Sequence, residues 1–324
     1  GSYFTDRYAE QVFPQISDPL VKSTSSILFA KDFPFTKNIS AVAVPVRSTS
    51  ARKSIPYLLD SGYEVITLEQ ELFLSPEATL QFKASQEDFV LQLQKITHQS
   101  ITTKSLYATA KQITKAHNIF KQLDILDLPE IAKSFIRQTY YAAFDIEEWS
   151  NAVNALLPKD LNETHKVPLR LLFTGSPVYF PNTKIPSVLN NVGITQYMDN
   201  CGVPYPENYE AIFKCDKLSK SSLLKRLHEI HYKAMQYDVA HTLNSNLSFL
   251  KNKDGVIYHI LKGQLMYAYD AEEFEKAAIR AGIPFVCIET DYTGADTEQI
   301  KIRLEAFSEL LKQKGKYATA AQIM

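Results

Sequence analysis

DGVIYHILKGQLMYAYDAEEFEKAAIRAGIPFVCIETDY (residues 254–292) decides the fold. GVIYHIL (255–261) is an unbroken apolar run, the pattern of a parallel strand buried on both faces. A helix over 270–281 follows, and PFVCIET (284–290) reads as a second buried strand. Strand, helix, strand at this spacing is a βαβ unit with a parallel sheet. Such sheets bind ligands at the carboxyl ends of their strands. Attention therefore falls on HILKG (259–263) and ETDY (289–292).

Working outward, the same rhythm continues. PLRLLFTGSP (168–177) reads as a strand running into a turn, KIPSVLNNVG (184–193) as a helix ending at Gly193, and ITQYMDNCG (194–202) as a strand and loop. Helices fill 218–252 and 296–315. The parallel sheet is expected to be covered on both faces, with right-handed crossovers. The first segment alternates too. A helix over 18–33 has Asp18 as N-cap, 39–46 is a strand despite Pro45, 50–62 is a helix and 63–68 a strand. Helices over 75–99, 102–126, 127–144 and 145–158 separate the two parts. Ser75-Pro76 opens the first, and Asp145 with Glu148 stands in capping-box positions at the last. The polar PKDLNETHK (158–166) reads as a linker. The expected division is an N-terminal α/β domain (1–74), a helical bridge partly packed on it (75–160) and a C-terminal α/β domain (161–324).

The 324 residues suit two cores better than one. Composition is that of a globular protein: 45% apolar, 22% charged, net charge −1. That charge offers no electrostatic reason for nucleic acid or an anionic membrane as partner. No apolar run approaches the roughly 20 residues of a membrane helix, and GSYFTDRYAE (1–10) lacks the features of a signal peptide. Cys201, Cys215 and Cys287 are odd in number and far apart, which argues against a disulfide framework and for a reducing cytoplasm. Cys287, inside the second strand, reads as a small apolar core residue.

The strand-end loops of the C-terminal half would gather Ser176, Asp199, Cys201, His259, Lys262, Glu289, Asp291 and Tyr292. A simpler role stands beside the ligand-binding one: Thr174, Asp199 and Asp291 suit helix caps and turns. TGSP (174–177) is neither a Walker loop nor a dinucleotide fingerprint. His228, His231 and His241 lack a carboxylate to complete a zinc pattern, so a solvated helix face is the better reading. No G-x-S-x-G elbow, H-E-x-x-H or kinase set occurs.

RLLFTGSP, GITQYMDNCG, GVIYHILKG and above all GIPFVCIETDY…EQIKIRLEAFSELL resemble the 2-hydroxyacyl-CoA dehydratase and benzoyl-CoA reductase family, in the manner of a 2-hydroxyglutaryl-CoA dehydratase D-component-like subunit. FIRQTYYAAFDIEEWSNAVNALLP is similar to its helical bridge. The resemblance implies two flavodoxin-like parallel-sheet domains joined by a helical segment. It also implies a heterodimer or homodimer of homologous subunits, a [4Fe–4S] cluster held by three cysteines, and an ATP-dependent activator that supplies one electron. The chemistry implied is that of a lyase removing water from a 2-hydroxyacyl-CoA, or of an acyl-CoA reductase.

The family's H-x-x-K-x-C pattern stands here as HILKG: His259 and Lys262 are kept, but Gly263 and its neighbours supply no cysteine. Arg47, Ser48 and Thr49 stand where the family has Cys-Asp, and Ser17 with Asp18 where it has a third cysteine. The resemblance then implies a chain that holds no cluster of its own, beside a homologous cluster-bearing subunit. It would supply interface and part of an acyl-CoA pocket. The alternative is a scaffold redeployed without a cluster, as a small-ligand-binding protein or an enzyme of other chemistry. On either reading His259 and Lys262 are the catalytic candidates, orienting or protonating a thioester or carboxylate. Arg47 and Ser48 would receive an anionic group or, in the case of Arg47, close a salt bridge. Ser176, Asp199, Cys201, Glu289, Asp291 and Tyr292 would shape the pocket. No metal ligand is assigned.

Overall fold

The computed structural model describes residues 6–14, 16–31, 33–46, 48–69, 75–157, 170–179, 182–201, 212, 219–227, 229–230, 250 and 252–321. Arg47, Cys215, His228, His231, His241 and the expected linker lie outside them. The chain divides into two compact units. One comprises residues 4–118 and 204–241; the other comprises 1–3, 119–203 and 242–324. The boundary between the units falls within the helical segment 75–160, between residues 118 and 119.

The first unit is built on two parallel strands, β1 (Ala41–Val46) and β2 (Glu64–Glu69), in register from Ala41 opposite Glu64 to Val46 opposite Glu69. Pro45 sits within β1, at a tolerable place because the described sheet has only edge strands. Helices α2 (Pro19–Ala30) and α3 (Thr49–Asp60) follow a short α1 (Asp6–Ala9) and cover the sheet. Leu28, Val44, Val46, Ala51, Leu58 and Tyr63 form the core, and the Tyr63 hydroxyl donates to Leu28 O at 2.9 Å. α4 (Pro76–Thr97) packs on β2, whose Glu69 N–H donates to Ser85 Oγ at 2.7 Å. The caps are those the sequence announces: Asp18 accepts from Leu20 N–H and Ser75 from Ala78 N–H.

The second unit holds a four-stranded parallel sheet of order β4-β3-β5-β6, with β3 Leu171–Gly175, β4 Met198–Asp199, β5 Gly255–Leu261 and β6 Phe285–Thr290. β5 is buried along its whole length, as its apolar run requires. Its Ile257 faces one layer, formed by α8 (Lys184–Asn191) and α10 (Thr297–Ala321). Val256, Tyr258 and Ile260 face the other, formed by α9 (Leu265–Arg280). α5 (Thr103–Ile125) runs from the first unit into this one. α6 (Glu130–Thr139) and α7 (Ile146–Leu156) then pack through Phe120, Tyr140 and Trp149, whose indole N–H donates to Thr139 Oγ1 at 3.0 Å. Asp145 caps α7 by accepting from Glu147 and Glu148 N–H.

One expected strand is much shorter than its apolar pattern suggests. Of the described residues 194–201 only Met198 and Asp199 join the ladder. The preceding backbone is engaged elsewhere: Glu130 N–H donates to Thr195 O at 2.8 Å, and Gln196 Nε2 donates to Leu128 O. Glu130, the first residue of α6, thus takes the Thr195 carbonyl that would otherwise pair in the sheet. Among the described residues no helix is long and apolar enough to cross a membrane.

Candidate functional site

β3 and β5 are neighbours although β4 lies between them in sequence, so the chain reverses its direction of winding at this point. Open parallel sheets bind ligands at such a switch, beyond the strand ends. Here the ends are clasped. Ser176 N–H donates to His259 O at 2.7 Å, and His259 Nδ1–H donates to Ser176 O at 2.8 Å. Leu261 N–H donates to Ser176 Oγ at 2.9 Å. A carbonyl can only accept, so the proton is on Nδ1 and Nε2 carries the lone pair.

His259 is 1% exposed, and Nε2 has no hydrogen-bond partner among the described residues. Burial, opposed by the Ser176 carbonyl and reinforced by the Lys184 charge, pushes the imidazole down to about 4. It is therefore neutral at pH 7, with the Nε2 lone pair held inside the protein. Because the folded state resists protonation, stability is full above the ordinary histidine value near 6.5 and falls as pH drops toward 4. The expected loss over that window is about 3 kcal/mol. His259→Asn, which keeps a donor for Ser176, should remove this contribution; urea unfolding at pH 7 and pH 4 measures it, and equal losses in both proteins would contradict it.

Beside the clasp lies a polar group the sequence does not announce. Lys184 Nζ, at the start of α8, donates to Thr293 O at 2.6 Å and to Asp296 at 2.8 Å. Thr290 Oγ1, fully buried, donates to the other Asp296 oxygen at 2.7 Å. Asp296 stands at the start of α10, where its carbonyl accepts from Ile300 N–H, and its carboxylate joins the end of β6 to α8.

The remaining candidates are placed individually. Lys262 is half exposed and pairs with Asp291 at 3.2 Å. Burial works against the Asp291 charge, but the Thr293 hydroxyl and N–H, with Lys262, hold the carboxyl below its ordinary range. Asp291 and Asp199 both close local turns, onto Thr293 N–H and Cys201 N–H, which is the simpler of the two roles open to them. Glu289 is exposed on β6, and Tyr292 is buried. Ser48 belongs to the other unit, where it caps α3. Within the second unit the structure joins Ser176 to His259, Lys262 to Asp291 and Asp199 to Cys201.

At the outer edge, Asp199 neighbours a charged cluster on α6. Arg137 donates to Glu130 at 2.8 Å and to Asp124, while Lys133 lies 3.5 Å from Glu130. Burial works against the Arg137 charge, yet Glu130 and Asp124 outweigh it and hold the guanidinium above its usual range. Asp199 is raised, mainly by burial and then by Glu130, against the pull of Cys201 N–H and Arg137.

Among the described residues, Cys201 and Cys287 do not suit a shared thiolate-bound cluster. Cys201 follows β4, is 1% exposed and packs on the α8 and α10 layer. Cys287 lies in β6 and packs on the α9 layer. They occupy opposite edges and opposite faces of the sheet, about 14 Å apart across three strand spacings. Burial raises both thiols, and Asp199 raises Cys201 further, whereas cluster ligands must be thiolates. Gly263, where the resemblance expects a nearby cysteine, closes a turn at φ +88°, with Gln264 N–H donating to Leu261 O. A side chain would be strained there. Among the described residues no three His, Cys, Asp or Glu are grouped to hold a metal ion.

A search among curated proteins returned no match. A family model described as 2-hydroxyglutaryl-CoA dehydratase, D-component, matches residues 1–311, nearly the whole chain and both units. The chain belongs to the 2-hydroxyglutaryl-CoA dehydratase D-component family.

Proposed function

We propose that this chain is a subunit of a 2-hydroxyacyl-CoA dehydratase or benzoyl-CoA reductase-type complex, and that it holds no iron–sulfur cluster of its own. It acts beside a homologous subunit that carries the cluster, contributing interface and part of the acyl-CoA pocket. The match over residues 1–311 carries this reading, because it covers both compact units rather than one of them. The separation of Cys201 from Cys287 supports the cluster-free part. The order β4-β3-β5-β6 is second, first, third, fourth in chain order, which favours a flavodoxin-like C-terminal unit. Cys201 and Cys287, the two cysteines among the described residues, are free thiols, which suits a cytoplasmic setting.

In this reading the residues of the chain bind and position; they do not exchange protons with substrate. The Ser176–His259 clasp sets the height of the two strand ends at the switch point, and the Lys184–Asp296–Thr290 group fixes the helix beside them. Lys262, half exposed, is the cation available at the rim for a carboxylate or thioester oxygen. Co-expression with a homologue bearing the three cluster cysteines tests the proposal. A stoichiometric complex with dehydratase or reductase activity, given an ATP-dependent activator, is expected. A chain that stays apart from that homologue and binds small carboxylates alone would instead support the redeployed scaffold.

A further inference from the structure

We propose that the inward face of α6 and the end of β4 hold a bound water shared by Tyr197, Gln138 and Asp199. α6 is packed inside out. Its buried residues, Glu130, Lys133, Ser134 and Gln138, are all polar, while Ile131, Ala132, Phe135 and Ile136 are not buried. Positions 130, 133, 134 and 138 lie on one face of a helix. A core-facing stripe is ordinarily apolar, and polar groups enclosed there need partners. Most have them. Glu130 holds Arg137 and Lys133. Asp199 accepts from Cys201 N–H at 2.9 Å and from the Ser134 hydroxyl. Gln138 Nε2 donates to Ser134 Oγ at 3.3 Å.

Two atoms do not. Tyr197 is 6% exposed and Gln138 7%, yet Tyr197 Oη and Gln138 Oε1 have no hydrogen-bond partner among the described residues. Both residues adjoin Asp199. The hydrogen bonds from Gln138 through Ser134 carry the Gln138 amide to that carboxyl. Tyr197 packs edge-on against Phe173, ring centroids 5.6 Å apart, and Phe173 is the residue paired with Asp199 across the ladder. Burial pushes the Tyr197 phenol up, and Asp199 and then Glu130 push it further, so it keeps a hydrogen to give. The ligand follows from these donors and acceptors. An amide oxygen and a carboxylate accept, whereas a phenol can donate. Water answers all three, donating to Gln138 Oε1 and Asp199 and accepting from Tyr197 O–H. An anion would face Asp199 and Glu130, and a cation would face Arg137 and Lys133; a small neutral molecule meets neither penalty. The site lies within the second unit and does not depend on the proposed function.

The test is a crystal structure of the full chain at a resolution that shows ordered water, with urea unfolding of variants. A water within hydrogen-bond distance of at least two of Tyr197 Oη, Gln138 Oε1 and the Asp199 carboxyl is expected. Tyr197→Phe should lower the folding equilibrium constant about tenfold, because the water keeps its place and loses a donor. A hydroxyl buried without bound water predicts the opposite sign: Tyr197→Phe would then be as stable as wild type or more so, since an unsatisfied group is removed. The loss should shrink in a Gln138→Leu background, where the same water is already weakened. Tyr269→Phe, 75% exposed on α9, is the control for loss of a hydroxyl alone. Clear density with no such bridging water overturns the site. So does a Tyr197→Phe protein no less stable than wild type, or an equal loss in the two backgrounds.

Discussion

Gly175→Ala is expected to lower stability by more than about 4 kcal/mol, the range in which a single change unfolds many domains. Gly175 has φ +113°, and a Cβ there would stand 2.1 Å from the His259 carbonyl oxygen. Both the clash and its partner are backbone, so no side chain can move aside. Relief requires β3 and β5 to part where Ser176 and His259 exchange hydrogen bonds. Ser176→Ala is the milder comparison. It keeps the backbone and strands one buried N–H, that of Leu261, at about 1–3 kcal/mol. Soluble yield and thermal melting of the two variants measure the difference. A Gly175→Ala protein that melts with wild type would show that the strand ends are not held as described.

Arg137→Met is expected to lower stability by about 3–5 kcal/mol. The Glu130 side chain is 6% exposed and takes its close contact from Arg137 at 2.8 Å; Lys133, at 3.5 Å, is a poorer partner. Loss of the guanidinium strands that carboxylate and leaves Asp199 beside it without the opposing charge. Arg137→Lys should rescue little, because one ammonium cannot bridge Glu130 and Asp124 as the forked guanidinium does. Arg137→Met with Glu130→Gln should recover part of the loss, since neither charge is then stranded. Urea midpoints of the single and double variants provide the measurement. A single variant within about 1 kcal/mol of wild type would mean the cluster is more hydrated than its burial implies.

Much of the architecture is legible in the amino-acid sequence. β5 is unmistakable because a central parallel strand has no polar face to hide. Asp18, Ser75 and Asp145 announce helix starts because each replaces a missing N–H partner. β4 misleads because its apolar pattern serves burial, while Thr195 O and the Gln196 side chain are bound to the start of α6.

The site is less legible for a related reason. Strand-end position brings Ser176 to His259, but position says nothing about which way a side chain is engaged. Asp199 and Asp291 spend an oxygen on the N–H two residues ahead, a contact any aspartate in a turn can make. Lys184 and Asp296 meet across 112 residues of sequence, and each alone looks like an ordinary helix-start residue. Arg137 and Glu130, seven residues apart, look like a solvated face of α6 until their burial is known.

Iron and acid-labile sulfide, determined per chain on protein purified without oxygen, test the central claim most directly. Near-zero values, with no broad absorbance from thiolate-bound iron, are the predicted result for a family member that carries the scaffold and no cluster of its own. Several irons per chain, matched by sulfide, would contradict it.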